Sequence, residues 1–191
     1  HGLLLHLDGA RVFNAAEALG VTASAVAAPF DSVQFCFSKG LSAPMGSALC
    51  GSREFVARAH RLRKMIGGGM RQVGIAAAAC IVGLENMVSR LSEDHAHAKL
   101  LCDKLCVLDG LSVSKESVQT NMVFLNVTIP GVSNDDFIKA IGDKGILAFV
   151  EGKHGVRLVT HYGITADDIR EVIRLIALCL ADLKAKQSLS V

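Results

Sequence analysis

The sequence predicts an α/β segment followed by a smaller α+β domain, and three observations carry that reading. In the first 86 residues, apolar runs that end on a carboxylate or an amine alternate with helical spacing. A long, alanine-rich helix comes next. After Gly110 short strands interleave with two helices, each opening on a Ser/Thr-x-x-Asp pair. The boundary falls inside the long helix, dividing the chain into residues 1–86 and 87–191.

Residues 2–8, GLLLHLD, read as a buried parallel-type strand that ends on Asp8. Val12, Ala15, Ala16 and Leu19 then recur at helical spacing, and Gly20 is placed to cap that helix. Residues 31–37, DSVQFCF, are the next strand. Lys39 and a turn over residues 40–46 close it, and SALCG returns as a short strand. Ser52 can cap a basic helix through Lys64. Glycines 67, 68 and 69 break the chain. A helix is expected from about residue 70 to about residue 107, kinked near Gly83. Its first half is apolar nearly all round, which predicts burial, and its second half is amphipathic.

In the second domain LSVSK, NMVFLNVTI, GILAFVE and GVRLVTH read as short strands. Ser133 with Asp136, and Thr165 with Asp168, have capping-box spacing. In the last helix Ile169, Val172, Ile173, Ile176 and Leu180 trace one apolar face.

Composition excludes several classes of function. The 191 residues are 51% hydrophobic and 20% charged, enough for a substantial core. A net charge of +2, scattered basic residues, no Trp and one Tyr argue against a nucleic-acid surface. The longest apolar stretch, residues 73–84, is shorter than the roughly 20 residues a membrane helix needs. Six cysteines without CxxC or zinc spacing read as reduced, mostly buried thiols of a cytoplasmic protein. His95 and His97 read as solvated, and no metal site is expected. The chain opens on His1 and enters a strand at once, so it reads as a piece of something longer.

The chemistry concentrates where two apolar strands end. Ligands of open α/β sheets sit at the carboxyl ends of strands, so Asp8 and Lys39 can face one crevice. An Asp opposite a pyridine nitrogen and a Lys that bonds an aldehyde are what pyridoxal phosphate (PLP) asks of a protein. Lys39 can equally be a solvated loop residue, and Asp8 a helix N-cap. A phosphate-binding P-loop fails on pattern, because the order is Lys39-Gly40 with no glycine loop before it.

The segments HLDGARVFNAAEALGV, SKGLSAPMGS, RKMIGGGMRQ and VRLVTH resemble the low-specificity threonine aldolases, PLP enzymes of the aspartate-aminotransferase-like fold type I. The likeness runs over nearly the whole chain and is loosest in the C-terminal domain. It implies the C-terminal part of a PLP-binding large domain over residues 1–86 and a small α+β domain over residues 87–191. By position in the motifs, Lys39 would be the Schiff-base lysine, Asp8 would pair with the pyridine nitrogen, and Arg11 would neighbour the ring hydroxyl. Lys64 and Arg71 match basic residues that reach the cofactor from a neighbouring subunit, which implies a homo-oligomer, a dimer or tetramer. Arg157 matches the arginine that grips the substrate carboxylate; its bland alternative is a pair with a nearby acid.

The resemblance further implies retro-aldol cleavage of L-threonine or L-allo-threonine to glycine and acetaldehyde. The neighbouring alternatives are a PLP-dependent β-eliminating lyase and a non-catalytic truncated subunit. Relatives carry an N-terminal half with a phosphate loop and a ring-stacking His, neither of which is found here. The expectation is a truncated chain that binds PLP weakly and turns over slowly or not at all.

Overall fold

The computed structural model describes residues 1–188. By contact the chain divides into two units, His1–Ser92 and a second that begins at Glu93.

In the first unit, β1 (His6–Asp8) runs parallel to β2 (Ser32–Cys36), and β3 (Ser47–Gly51) returns antiparallel to β2. The order is β1-β2-β3. Between β1 and β2 lie α1 (Val12–Leu19) and the short α2 (Ala23–Ala27). Gly20 ends α1 with φ 66°, a left-handed conformation open to glycine at little cost. The sequence reading passed over α2, whose signal is Thr22 accepting from the Ala25 N–H at 3.2 Å.

Ser52 caps α3 (Arg53–Met65) by accepting from the Phe55 N–H at 3.2 Å. The first of the three glycines then closes the helix as a Schellman motif. Gly67 has φ 87°; its N–H donates to the Lys64 carbonyl, and the Gly68 N–H donates to the Arg63 carbonyl at 2.8 Å.

Three expectations for this unit are corrected. Only residues 6–8 of the first apolar run form a strand, and Leu3, Leu4 and Leu5 stay exposed. The order of the sheet fits this: among the described residues β1 is an edge, paired on one side alone. The long helix is two helices, α4 (Gly74–Asn86) and α5 (Leu91–Leu105), and the break falls after residue 86 rather than at Gly83. Gly83 stays helical because its missing side chain makes room: a Cβ there would lie 2.8 Å from the Leu41 carbonyl oxygen. Nor is α4 buried. Only Cys80 and Gly83 are enclosed, while Ile75 is 86% exposed and Ile81 and Val82 more than half exposed. An all-apolar helix needs cover on every side, and this unit supplies it on one.

The second unit is a four-stranded antiparallel sheet in the order β4-β5-β7-β6: β4 (Leu111–Val113), β5 (Met122–Val127), β7 (Val156–Val159) and β6 (Phe149–Val150). One face packs on α5, α6 (Asn134–Gly142) and α7 (Ala166–Ser188). Their core holds Leu101, Leu105, Val123, Leu125, Phe137, Ile141, Val156, Leu158 and Ile176. Both capping boxes form. Ser133 and Asp136 exchange backbone bonds of 3.1 and 3.0 Å, and Thr165 and Asp168 of 3.2 and 2.8 Å. The Ser133 and Thr165 hydroxyls and N–H groups hold the Asp136 and Asp168 carboxyls below their ordinary range. Depressed carboxylates favour the folded state above their unfolded pKa, and that contribution fades as pH falls through the folded value.

Gly83→Ala should destabilise the chain by about 1–3 kcal/mol through the clash at Leu41, although helix propensity alone favours alanine by about 1 kcal/mol. Urea unfolding of the variant reads the sign directly.

Candidate active site

Parallel pairing fixes the edge at which the site is built. Asp8 is in register with Gln34, so the carboxyl ends of β1 and β2 lie side by side. Two backbone bonds extend the tie past the strands: the Gly9 N–H donates to the Gln34 carbonyl at 2.8 Å, and the Cys36 N–H to the Ala10 carbonyl at 3.4 Å. Asp8 is exposed at this edge. Arg11 follows as the residue that opens α1, half-buried with its Nε enclosed.

Lys39 sits three residues beyond β2, exposed, on a turn that is anchored from several directions. The Phe37 N–H donates to the Gly46 carbonyl at 3.0 Å, Ala43 to Phe37 at 3.0 Å and Ser42 to Lys39 at 2.9 Å. Gly40 is buried where a Cβ would lie 2.8 Å from Leu91 Cδ2 and 2.9 Å from Asn14 Oδ1, so a larger residue would have to displace those side chains. Leu41 and Ala43 are buried as well. Ser42 holds φ at 57°, uncommon for a residue with a side chain and a sign of local strain. Beside the turn, Phe35 meets Phe13 and Phe37 edge-on at 5.2 and 5.0 Å. The lysine is thus an exposed residue on a turn held by backbone bonds.

Cys36 belongs to this cluster and escaped the sequence reading. Gln34 Nε2 donates to its Sγ at 3.4 Å, and Ser47 Oγ donates at 3.8 Å. Burial pushes the thiol up, but the Gln34 and Ser47 hydrogen bonds and the neighbouring Lys39 ammonium outweigh it and hold the thiol below its ordinary value. The spacing of Cys36 and Lys39 was visible; the donor from β3 was not.

Lys64 and Arg71 are exposed on either side of the glycine run. Lys64 folds over Gly69, where a Cβ would come within 2.6 Å of its Cδ. Arg157 lies in the second unit on β7, paired across the sheet with Phe124 and Phe149. Its guanidinium stands 4.3 Å from the Phe149 ring centroid, and its NH1 is 2.7 Å from Glu151 Oε2. The acid partner raised as an alternative for Arg157 is therefore present, and Glu151 is its identity. The strand end beyond Arg157 is pinned by buried polar bonds. Asn121 Nδ2 donates to the Thr160 carbonyl at 2.7 Å, and Thr160 Oγ1 to the Asp94 carbonyl at 2.6 Å. His161 is exposed and its Nδ1 contacts the Tyr162 carbonyl oxygen. Among the described residues no three His, Cys, Asp or Glu side chains gather as a metal site, and no single helix is long and apolar enough to cross a membrane.

A carboxylate and an amine beyond the carboxyl ends of a parallel strand pair, in a chain that continues into an antiparallel α+β unit, place the chain among α/β proteins that offer a ligand edge at strand ends. The chain belongs to the beta-eliminating lyase family, whose model matches residues 1–128. It is 41% identical over 172 residues to the low specificity L-threonine aldolase of Escherichia coli K12, covering 89% of this chain and 49% of that protein. It is 41% identical over 170 residues to low-specificity L-threonine aldolase 1 of Arabidopsis thaliana, covering 88% and 48%. The chain therefore spans about half the length of these curated relatives. The fold matches the Leishmania major threonine aldolase structure with a TM-score of 0.71 at 18% identity, over 94% of this chain and 53% of that one.

Cys36 should alkylate with iodoacetamide at a lower pH than an ordinary thiol, and Lys39→Met should move that profile to higher pH. Peptide mapping across a pH series reads both; coincident profiles would remove the ammonium from the explanation.

Proposed function

We propose that this chain carries the cofactor-binding lysine and the substrate-binding arginine of a PLP-dependent carbon–carbon lyase. That enzyme cleaves β-hydroxy-α-amino acids, threonine or allo-threonine, to glycine and acetaldehyde. The observation that supports it most is the shared carboxyl edge of β1 and β2, which bears Asp8 and Lys39. The Arabidopsis and Escherichia coli K12 relatives, each 41% identical, are both called threonine aldolases.

The residues fit the cofactor. Lys39 is exposed on an anchored turn, and a lysine so placed can hold an aldehyde covalently through its amine. Asp8, an exposed carboxylate at the same edge, would keep a proton on the pyridine nitrogen. Arg11, next to it in the chain, would neighbour the ring hydroxyl. When bound, pyridoxal phosphate supplies a ring that accepts the electron pair released as the Cα–Cβ bond breaks. Arg157 would receive the substrate carboxylate; a planar guanidinium binds it through two parallel hydrogen bonds and so fixes which bond stands across the ring. Its Nε is enclosed without a hydrogen-bond partner, a donor waiting for an acceptor. Lys64 and Arg71 would serve the cofactor region of a neighbouring copy, which makes the working form a homo-oligomer.

The family's own description favours a second reading, β-elimination, on the same amine and carboxylate. Products separate the two: glycine and acetaldehyde against pyruvate and ammonia.

Borohydride reduction after incubation with pyridoxal phosphate should place the cofactor on Lys39 and leave Lys39→Ala unlabelled. A label that persists in that variant would move the site elsewhere. Arg157→Gln should raise the threonine KM of the holoenzyme about ten- to a hundredfold, the size of a lost charged hydrogen bond.

A further inference from the structure

The pair between Glu151 and Arg157 is close in distance and poor in bonding. NH1 and Oε2 are 2.7 Å apart, yet Glu151 Oε2 and Arg157 Nε are both enclosed and neither makes a hydrogen bond. Charge is matched while donor and acceptor capacity is left over. A good arginine–carboxylate pair is bidentate and leaves neither group wanting. The Phe149 ring, 4.3 Å from the guanidinium, covers one face and leaves the edges of the group for acceptors in its plane.

The backbone under Glu151 is fixed. Its N–H donates to the Gly155 carbonyl at 2.8 Å, and its carbonyl accepts from the His154 N–H at 2.9 Å. Gly152 and Gly155, with φ of 48° and 82°, close the loop in conformations that suit glycine. The side chain can therefore leave Arg157 by rotation alone. It has somewhere polar to go, since a groove of about 530 Å³ lined by Ser112, Ser114, Asn126 and His154 opens beside it.

We propose that Glu151 is an internal stand-in for the substrate's α-carboxylate: it holds Arg157 aimed while the site is empty and is displaced when an amino acid binds. This rests on Arg157 being the carboxylate anchor. Glu151 is then a positioning residue that sets affinity by competition, and its carboxylate makes the resting arginine less attractive to other anions. Substrate affinity is the surplus of a bidentate, hydrogen-bonded pair over the single ion-pair contact it replaces.

The test follows the Arg157 Nε–H resonance of the 191-residue chain by NMR, assigned through its loss in Arg157→Lys. Glycine is the carboxylate probe, and glycinamide, which lacks the carboxylate, is the control. Glycine should move the resonance and glycinamide should not. In Glu151→Gln, which keeps the shape and removes the charge, the glycine midpoint should fall about two- to fivefold, as expected for a partly exposed ion pair. Glu151→Ala should shift it the same way, and Glu151→Asp should stay near the wild type. Damage to the fold weakens binding, so a gain in affinity separates competition from a structural role. If glycine moves the wild-type resonance and neither the Gln nor the Ala variant binds more tightly, Glu151 does not compete, and the reading of Arg157 stands. If the resonance moves in no variant, Arg157 is not the anchor and both ideas fall.

Discussion

The parallel pairing of β1 with β2 is the constraint on which the candidate site depends. Strand polarity places both carboxyl ends at one edge, and side-by-side strands stand about 4.8 Å apart. What each strand releases there follows from its next few residues. After β1 comes Gly9, whose N–H extends the ladder, and then the start of α1. After β2 comes a turn anchored by its backbone bonds and by the buried Gly40, Leu41 and Ala43, with the exposed Lys39 beside the Cys36 thiol. An anchored turn fixes where the amine is offered.

The two units bury their surface unequally. The second closes a core of seventeen buried apolar residues over its sheet. The first leaves Leu3 and Leu4, Met65 at the end of α3, Ile66 just beyond it, and Ile75 on α4 largely in water. Apolar exposure on this scale opposes stability in a free unit. The first unit thus buries less of its apolar surface, and it is also the one that carries Lys39.

Much of this was legible because local chemistry is written locally. Ser133 with Asp136 and Thr165 with Asp168 announce helix starts, since each pair satisfies backbone groups within one turn. Gly20 and Gly67 announce stops, because their conformations cost other residues more. The positions of Asp8 at the end of β1 and of Lys39 just past β2 were legible from where the apolar runs stop. The failures share a cause as well. The exposure of α4 and the shortness of β1 depend on what lies beside them, which periodicity does not report. Gly83 suggested a kink, but its small size serves contact with Leu41, forty-two residues earlier in the chain. Cys36 draws a donor from β3, and Glu151 meets Arg157 across a glycine turn. Neither relation has a spacing rule.

The Arg157 environment shows why a binding arginine is hard to tell from a structural one by sequence. A guanidinium at 23% exposure on a sheet, against an aromatic ring, needs a counterion before any ligand arrives. An acid nearby is then expected on stability grounds alone, and its presence does not argue against a binding role. What distinguishes the two cases is the quality of the pair. A structural arginine–glutamate bridge would use both edges of the fork; here one nitrogen carries the contact while Nε is enclosed and unbonded. Unfilled capacity on a paired charge leaves room for a further acceptor in the plane of the guanidinium.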